Sequence, residues 1–173
     1  MEKKKKRLIY RVSVLGLFAA MVFFAVFQSF NDEPKTAMAL QGDRAANFAG
    51  ETIGGETLVL TNEIQGKTLI NFWGSWCEPC KREMPALENA YSKYKKEGFS
   101  VVSVNLGQSK FVTEQFAAQY DLSFPVIIDT DGSIKDAYYV GNLPASFLVD
   151  EEGKIEKVHE GELSEAMLEE WIN

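Results

Sequence analysis

Both cysteines of the chain, Cys77 and Cys80, lie in the stretch Trp73-Gly-Ser-Trp-Cys-Glu-Pro-Cys-Lys81, directly after the apolar run Leu69-Ile70-Asn71-Phe72. Residues three apart on the first turn of a helix share a face, with Cβ atoms about 5–6 Å apart, so small adjustments let two sulfurs bond or separate. A thiol at a helix N-terminus meets unpaired backbone N–H groups and the positive end of the helix dipole. Both stabilise the thiolate, the form that attacks disulfides. The chemistry this spacing points to is thiol-disulfide exchange, with Cys77 attacking and Cys80 resolving.

Two plainer readings compete. Structural zinc takes four Cys or His ligands, whereas the chain offers two cysteines and the remote His159, so no metal is expected. A structural staple is also a poor fit. In the chain-entropy model a four-residue loop contributes only about 2 kcal/mol, against about 3 for fifteen residues.

Residues 1–11 hold six bases (Lys3, Lys4, Lys5, Lys6, Arg7, Arg11) and one acid, Glu2, and the apolar span Val12 to Phe27 follows, continuing through Phe30. Residues 12–30 suffice to cross a bilayer of about 30 Å as a helix, with the basic flank cytoplasmic and the remainder outside. Ala37-Met38-Ala39 has the A-x-A form that signal peptidase prefers, but it lies far downstream, so an uncleaved anchor is expected. No cysteine follows the apolar run, which excludes a lipoprotein attachment.

Setting the leader aside leaves 12 bases against 24 acids, a net charge of −12. Such a surface repels phosphate, so nucleic acid is excluded as a partner. From there the chain reads as a linker over 31–42, polar with Pro34 and Gly42, and one domain over 43–173, large enough for a single core and free of internal repeats.

Within that domain, β-rich apolar runs at Leu69–Phe72, Val101–Val104, Val126–Ile128 and Phe147–Val149 alternate with helical patterns at Cys80–Tyr94, Lys110–Tyr120 and Ser133–Tyr139. The turn Glu151-Glu152-Gly153-Lys154 joins Phe147–Val149 to Ile155–His159 as an antiparallel hairpin, and Ser164–Trp171 closes the chain as a helix. Leu58–Leu60, preceded by Gly54-Gly55, forms an N-terminal hairpin. The fold class is therefore α/β, a central mixed sheet flanked by helices. Pro85 falls inside the helix carrying Cys80, where it removes one hydrogen bond and bends the axis. At Leu143-Pro144, residue statistics alone favour a trans bond.

The Trp-Gly-Ser-Trp-Cys-Glu-Pro-Cys motif after a buried strand, Pro85 downstream, Phe124-Pro125-Val126, Asp129, and Gly141-Asn-Leu-Pro-Ala145 before Phe147-Leu-Val149 together resemble the thioredoxin superfamily. The basic leader, single anchor, CEPC motif and Asp150-Glu-Glu-Gly-Lys154 look more narrowly like the ResA and TlpA-type membrane-anchored thiol-disulfide oxidoreductases of Gram-positive bacteria. The resemblance spans nearly the whole chain and implies a thioredoxin-like fold. It also implies no cofactor beyond the redox-active disulfide Cys77–Cys80, a cell-membrane location with the catalytic domain outside, and electrons from a membrane thiol donor. Clients would be disulfide-containing proteins, typically apocytochrome c in cytochrome c maturation, while relatives of the same fold act in sporulation.

Carried over by position, Cys77 and Cys80 resemble the attacking and resolving thiols, and Pro144 resembles a cis proline beside the disulfide. Leu143 would pair its backbone with the substrate chain. Trp76, Pro79, Leu143 and Pro144 would contact substrate, and Trp73 and Trp76 would shape the floor and rim of the site. Three departures stand out. Asn71 occupies the place of the buried aspartate that moves protons in ordinary thioredoxins, leaving Glu78, which matches the acidic residue of the ResA motif, as the nearest group for proton exchange if partly desolvated. Its charge would also oppose formation of the Cys77 thiolate. Gln108 stands where ResA-like proteins carry a glutamate. Ala45-Ala46-Asn47-Phe48 lacks the proline of an Ala-Pro-x-Phe pattern, with no effect expected on chemistry.

The leading expectation is a disulfide reductase. A disulfide-forming oxidase is its nearest rival, since only the reduction potential separates them. A thiol peroxidase would want Thr or Ser where Gly74 stands, and a non-catalytic binding module would trap no client through Cys77. His159 is read as a surface or packing residue.

Overall fold

The structure, a computed structural model, describes residues 14–18, 20–24 and 39–173. The chain divides into two compact units, Met1–Thr36 and Ala37–Asn173. In the first, residues 14–18 and 20–24 are helical and exposed. Among the described residues no helix is long and apolar enough to cross a membrane. The rest of the expected 12–30 span, the basic leader, most of the 31–42 linker, and Ala37 and Met38 of the cleavage-type sequence lie outside the described residues.

The second unit is built on a five-stranded sheet in which every strand but the last is apolar enough to be buried. Its strands are β3 (Thr68–Trp73), β4 (Ser100–Leu106), β5 (Val126–Asp129), β6 (Ala145–Val149) and β7 (Ile155–Glu160), in the order β5-β4-β3-β6-β7. The first three run parallel, while β6 pairs antiparallel with β3 and β7 antiparallel with β6. This is the expected mixed α/β arrangement. All six residues of β3 are buried, the mark of a central strand covered on both faces.

Because side chains alternate along a strand, β3 sends Leu69 and Trp73 to one face and Ile70 and Phe72 to the other. The first face forms a core with α2 (Glu78–Tyr94), α3 (Lys110–Gln119) and α5 (Glu165–Ile172), including Met84, Leu87, Phe116, Leu168 and Trp171. The second packs with Leu58 of the N-terminal hairpin and Phe48 just before it, and with Ile134 of α4 (Ser133–Ala137) and Tyr138 just after it. Asn71, between Leu69 and Trp73, faces the α2 side, and that placement decides its role at the site.

The hairpin pairs β1 (Ala49–Glu51) with β2 (Thr57–Val59). The strand expected over Leu58–Leu60 is corrected at its end: Leu60 opens a short helix, α1 (Leu60–Glu63), whose Thr61 N–H donates to Asn47 Oδ1 at 3.2 Å. Thus Asn47 supplies a helix-start hydrogen bond that no sequence pattern announced. The helix expected over Ser133–Tyr139 stops at Ala137, because Tyr139 takes a left-handed φ of 52°. Helix α2 continues through Pro85. Residues 39–42 already bond to this unit, Ala39 N–H to Tyr138 O and Gly42 N–H to Ile155 O.

Candidate active site

Strand β3 ends at Trp73, and Gly74 to Trp76 connect it to α2. Cys77 is the N-cap of α2, its backbone extended and its Sγ accepting the Cys80 N–H at 3.3 Å. One of the four orphan amides of the helix start is thereby satisfied by the sulfur itself, and Pro79 in the first turn removes another. Cys77 and Cys80 are joined in a disulfide. Only Cys77 reaches the surface, at 8% exposure against 0% for Cys80. Cys77 is thus the sulfur nearer to solvent and Cys80 the one enclosed by the core.

The two tryptophans of the motif behave oppositely. Trp73 is fully buried, stacked on Phe116 with ring centroids 4.4 Å apart and with its indole N–H donated to Ser103 Oγ. It is a core residue beneath the site. Trp76 is 58% exposed, and its indole lies against Gly74, where an added Cβ would come within 2.6 Å of the ring.

The Leu143–Pro144 bond is cis, as the resemblance implied and residue statistics did not. The β3–β6 register pairs Phe72 with Ala145, so Pro144 falls opposite the end of β3, where the cysteine loop begins. Leu143 is half-buried against the core that contains both cysteines. Gly161 N–H donates to Pro144 O at 2.8 Å, tying the loop after β7 to the same corner.

Glu78 is placed differently from what proton exchange requires. Its side chain is 70% exposed, and Lys81 Nζ lies 2.6 Å from its Oε1. The Lys81 ammonium holds the Glu78 carboxyl below its ordinary value. The hydrogen bond and charge of Lys81 outweigh the desolvation that raises its pKa, and the adjacent ammonium offsets its charge towards Cys77.

The buried acid of the site is Glu83, which sequence reasoning missed. Its Oε1 accepts from Asn71 Nδ2 at 2.9 Å and its Oε2 from Leu163 N–H at 3.0 Å. Burial raises its pKa to about 7, against the lowering effect of those two hydrogen bonds, while the neighbouring Glu162 adds to the rise. A signal was available in the sequence: Cys80, Glu83, Met84 and Leu87 are spaced as one buried helical stripe, with a single acid inside it. Glu83 lies one turn after Cys80 on the same buried face of α2.

Asn71 Nδ2 also donates to Ser146 Oγ at 3.0 Å, and its Oδ1 is buried with no partner among the described residues. Gln108, in the loop between β4 and α3, bonds to Ser75 in the cysteine loop. His159 sits on β7, its ring edge-on to Trp171 at 6.4 Å, as a packing residue. Among the described residues no group of three His, Cys, Asp or Glu is arranged to hold a metal ion.

Residues 41–158 match the AhpC/TSA family. The thiol-disulfide oxidoreductase ResA of Bacillus subtilis is 37% identical over 172 residues, covering 99% of this chain and 94% of that protein. ResA of Halalkalibacterium halodurans is 37% identical over 170 residues, covering 98% and 95%. The crystal structure of StoA from Bacillus subtilis superposes with a TM-score of 0.66 at 36% identity, covering 75% of this chain and 98% of that one. With an accessible and a buried sulfur in one CxxC motif on that fold, the chain belongs to the thioredoxin-like AhpC/TSA family as a ResA-like thiol-disulfide oxidoreductase.

Proposed function

We propose that residues 12–30 anchor this protein in the cell membrane and that residues 43–173, beyond a linker over 31–42, reduce disulfides in extracytoplasmic client proteins, apocytochrome c among them. The observation that carries the reading is the asymmetry of the pair, Cys77 at the surface on a helix N-terminus and Cys80 buried one turn before Glu83. The likeness to the thiol-disulfide oxidoreductase ResA over nearly the whole chain supports disulfide-containing clients, and the basic leader followed by the apolar span 12–30 supports the location.

In the reduced protein the Cys77 thiolate attacks one sulfur of the client disulfide. A Cys77–client disulfide forms, and the client's other sulfur leaves as a thiolate and takes a proton. Cys80 then gives its proton to the Glu83 carboxylate and attacks Cys77 Sγ, releasing the second client thiolate. Two electrons pass to the client and Cys77–Cys80 is left oxidised. A membrane thiol donor restores the dithiol. Glu83, rather than the exposed Glu78, moves the proton, because its pKa of about 7 lets it do so at neutral pH.

Leu143, Pro144, Pro79 and Trp76 form the client-facing surface around Cys77, with the Leu143 backbone pairing to an extended client segment. A peroxidase is disfavoured: Gly74 has no hydroxyl to orient a peroxide, and the Trp76 indole lies against it.

The test is the reduced full chain carrying Cys80→Ser, mixed with an apocytochrome c peptide whose CxxCH cysteines form a disulfide. A covalent Cys77–peptide adduct, seen by mass and released by dithiothreitol, agrees with the proposal. No adduct, while wild-type protein also leaves the peptide oxidised, contradicts it.

A further inference from the structure

The cysteine loop is held from outside by one side chain. Ser75 N–H donates to Gln108 Oε1 at 2.8 Å, and Gln108 Nε2 donates to Ser75 Oγ at 2.7 Å. Gln108 Oε1 also accepts from Asn105 Nδ2 at 2.9 Å, and Asn105, fully buried near the end of β4, accepts from Thr113 Oγ1 of α3 at 3.3 Å. On the other side of Ser75, Cys77 N–H donates to Gly74 O at 3.0 Å and closes a tight turn. A continuous path therefore runs from the core through Asn105 and Gln108 to the turn that sets where Cys77 Sγ points.

We infer that Gln108 is a positioning residue for Cys77: its amide grips both the backbone and the side chain of Ser75, and it does so without bringing a charge to the thiol. This rests on the redox role of the Cys77–Cys80 pair. The grip uses the amide in both directions, accepting from two N–H groups and donating to one hydroxyl. A carboxylate could keep all three bonds, because the Ser75 hydroxyl can turn to donate, but it would add a negative charge two residues from Cys77. An apolar side chain would lose all three.

The charged groups on the elements that adjoin the turn are otherwise the Glu78–Lys81 pair, Glu83 and Arg82 on α2, Glu162 in the loop after β7, paired with Arg82, and Lys110 at the start of α3, paired with Glu114. None of them is altered in the variants, so a change in Cys77 titration reports on position 108.

The experiment measures against pH both the rate of Cys77 alkylation by iodoacetamide and the rate of its exchange with oxidised glutathione, on the reduced full chain in detergent, for wild type, Gln108→Glu, Gln108→Leu and Ser75→Ala. For Gln108→Glu the profile should move up by about one pH unit, as expected for a like charge nearby, with its plateau rate kept. For Gln108→Leu the plateau with oxidised glutathione as acceptor should fall about tenfold, the loss expected when a nucleophile is left poorly aimed. Ser75→Ala, which keeps the main-chain bond, should fall in between, and it carries the comparison with Gln108→Glu if the leucine variant does not fold. Superimposable profiles for all variants overturn the inference, as does a Gln108→Glu plateau as low as that of Gln108→Leu. Failure of wild-type protein itself to exchange with glutathione would instead overturn the redox reading.

Discussion

Glu83 and Asn71 form a hydrogen-bonded pair of 2.9 Å with both residues fully buried, joining α2 to the central strand one helical turn after Cys80. A carboxyl there is torn between two demands. Ionised, it makes full use of the Asn71 and Leu163 donors but sits in a poor medium for charge. Protonated, it escapes the desolvation cost but weakens those bonds.

The first consequence is a stability that depends on pH. The folded-state pKa of Glu83 is raised from 4.5 to about 7, so between those values the folded state holds a proton that the unfolded state has released. The contribution is fully present below about pH 4.5 and is lost as pH rises through 7, a loss on the order of 3 kcal/mol at most. Glu83→Gln, which stays neutral, should remove this fall. Urea midpoints at pH 5 and pH 8 check it: wild type should lose more stability than the variant across that interval.

Replacing Asn71 by Asp should set two buried carboxyl groups against each other. The amide donor to Glu83 disappears and a like charge takes its place, so stability should fall by about 3 kcal/mol at pH 8 and less at pH 5, where one shared proton relieves the repulsion. Denaturant melts of the oxidised protein at the two pH values measure the difference.

Gly74→Ser should displace the Trp76 indole. The new Cβ would lie 2.6 Å from the ring, but Trp76 is largely exposed and can swing outward, so stability should change by less than about 1 kcal/mol. The fluorescence of Trp76 should alter, and hydroperoxide consumption should stay at background despite the new hydroxyl. An unchanged spectrum would mean that the ring does not rest on Gly74 in solution.

Much of this site was legible before the structure because it is local. The CxxC spacing, the preceding apolar strand and the helix start are written in consecutive residues, and the strand runs at Leu69, Val101, Val126 and Phe147 all became strands of one sheet. What escaped was set by contacts between distant segments. Glu78 drew attention because it lies between the cysteines, yet the first turn of α2 points it into water beside Lys81. Glu83 takes its character from Asn71 on β3 and Leu163 on the loop before α5, neither near it in sequence. The α2 periodicity already placed Glu83 among Cys80, Met84 and Leu87. Gln108 likewise reads as an ordinary loop residue until folding brings it against Ser75.

The central claim is that Cys77 and Cys80 deliver electrons to clients. It is tested most directly by the reduction potential of their couple, measured on the full chain in detergent by equilibration in dithiothreitol redox buffers and followed by tryptophan fluorescence. A reductase should give a value near the roughly −270 mV of thioredoxin. A value near the roughly −120 mV of DsbA would contradict the claim and make the protein a disulfide-forming oxidase.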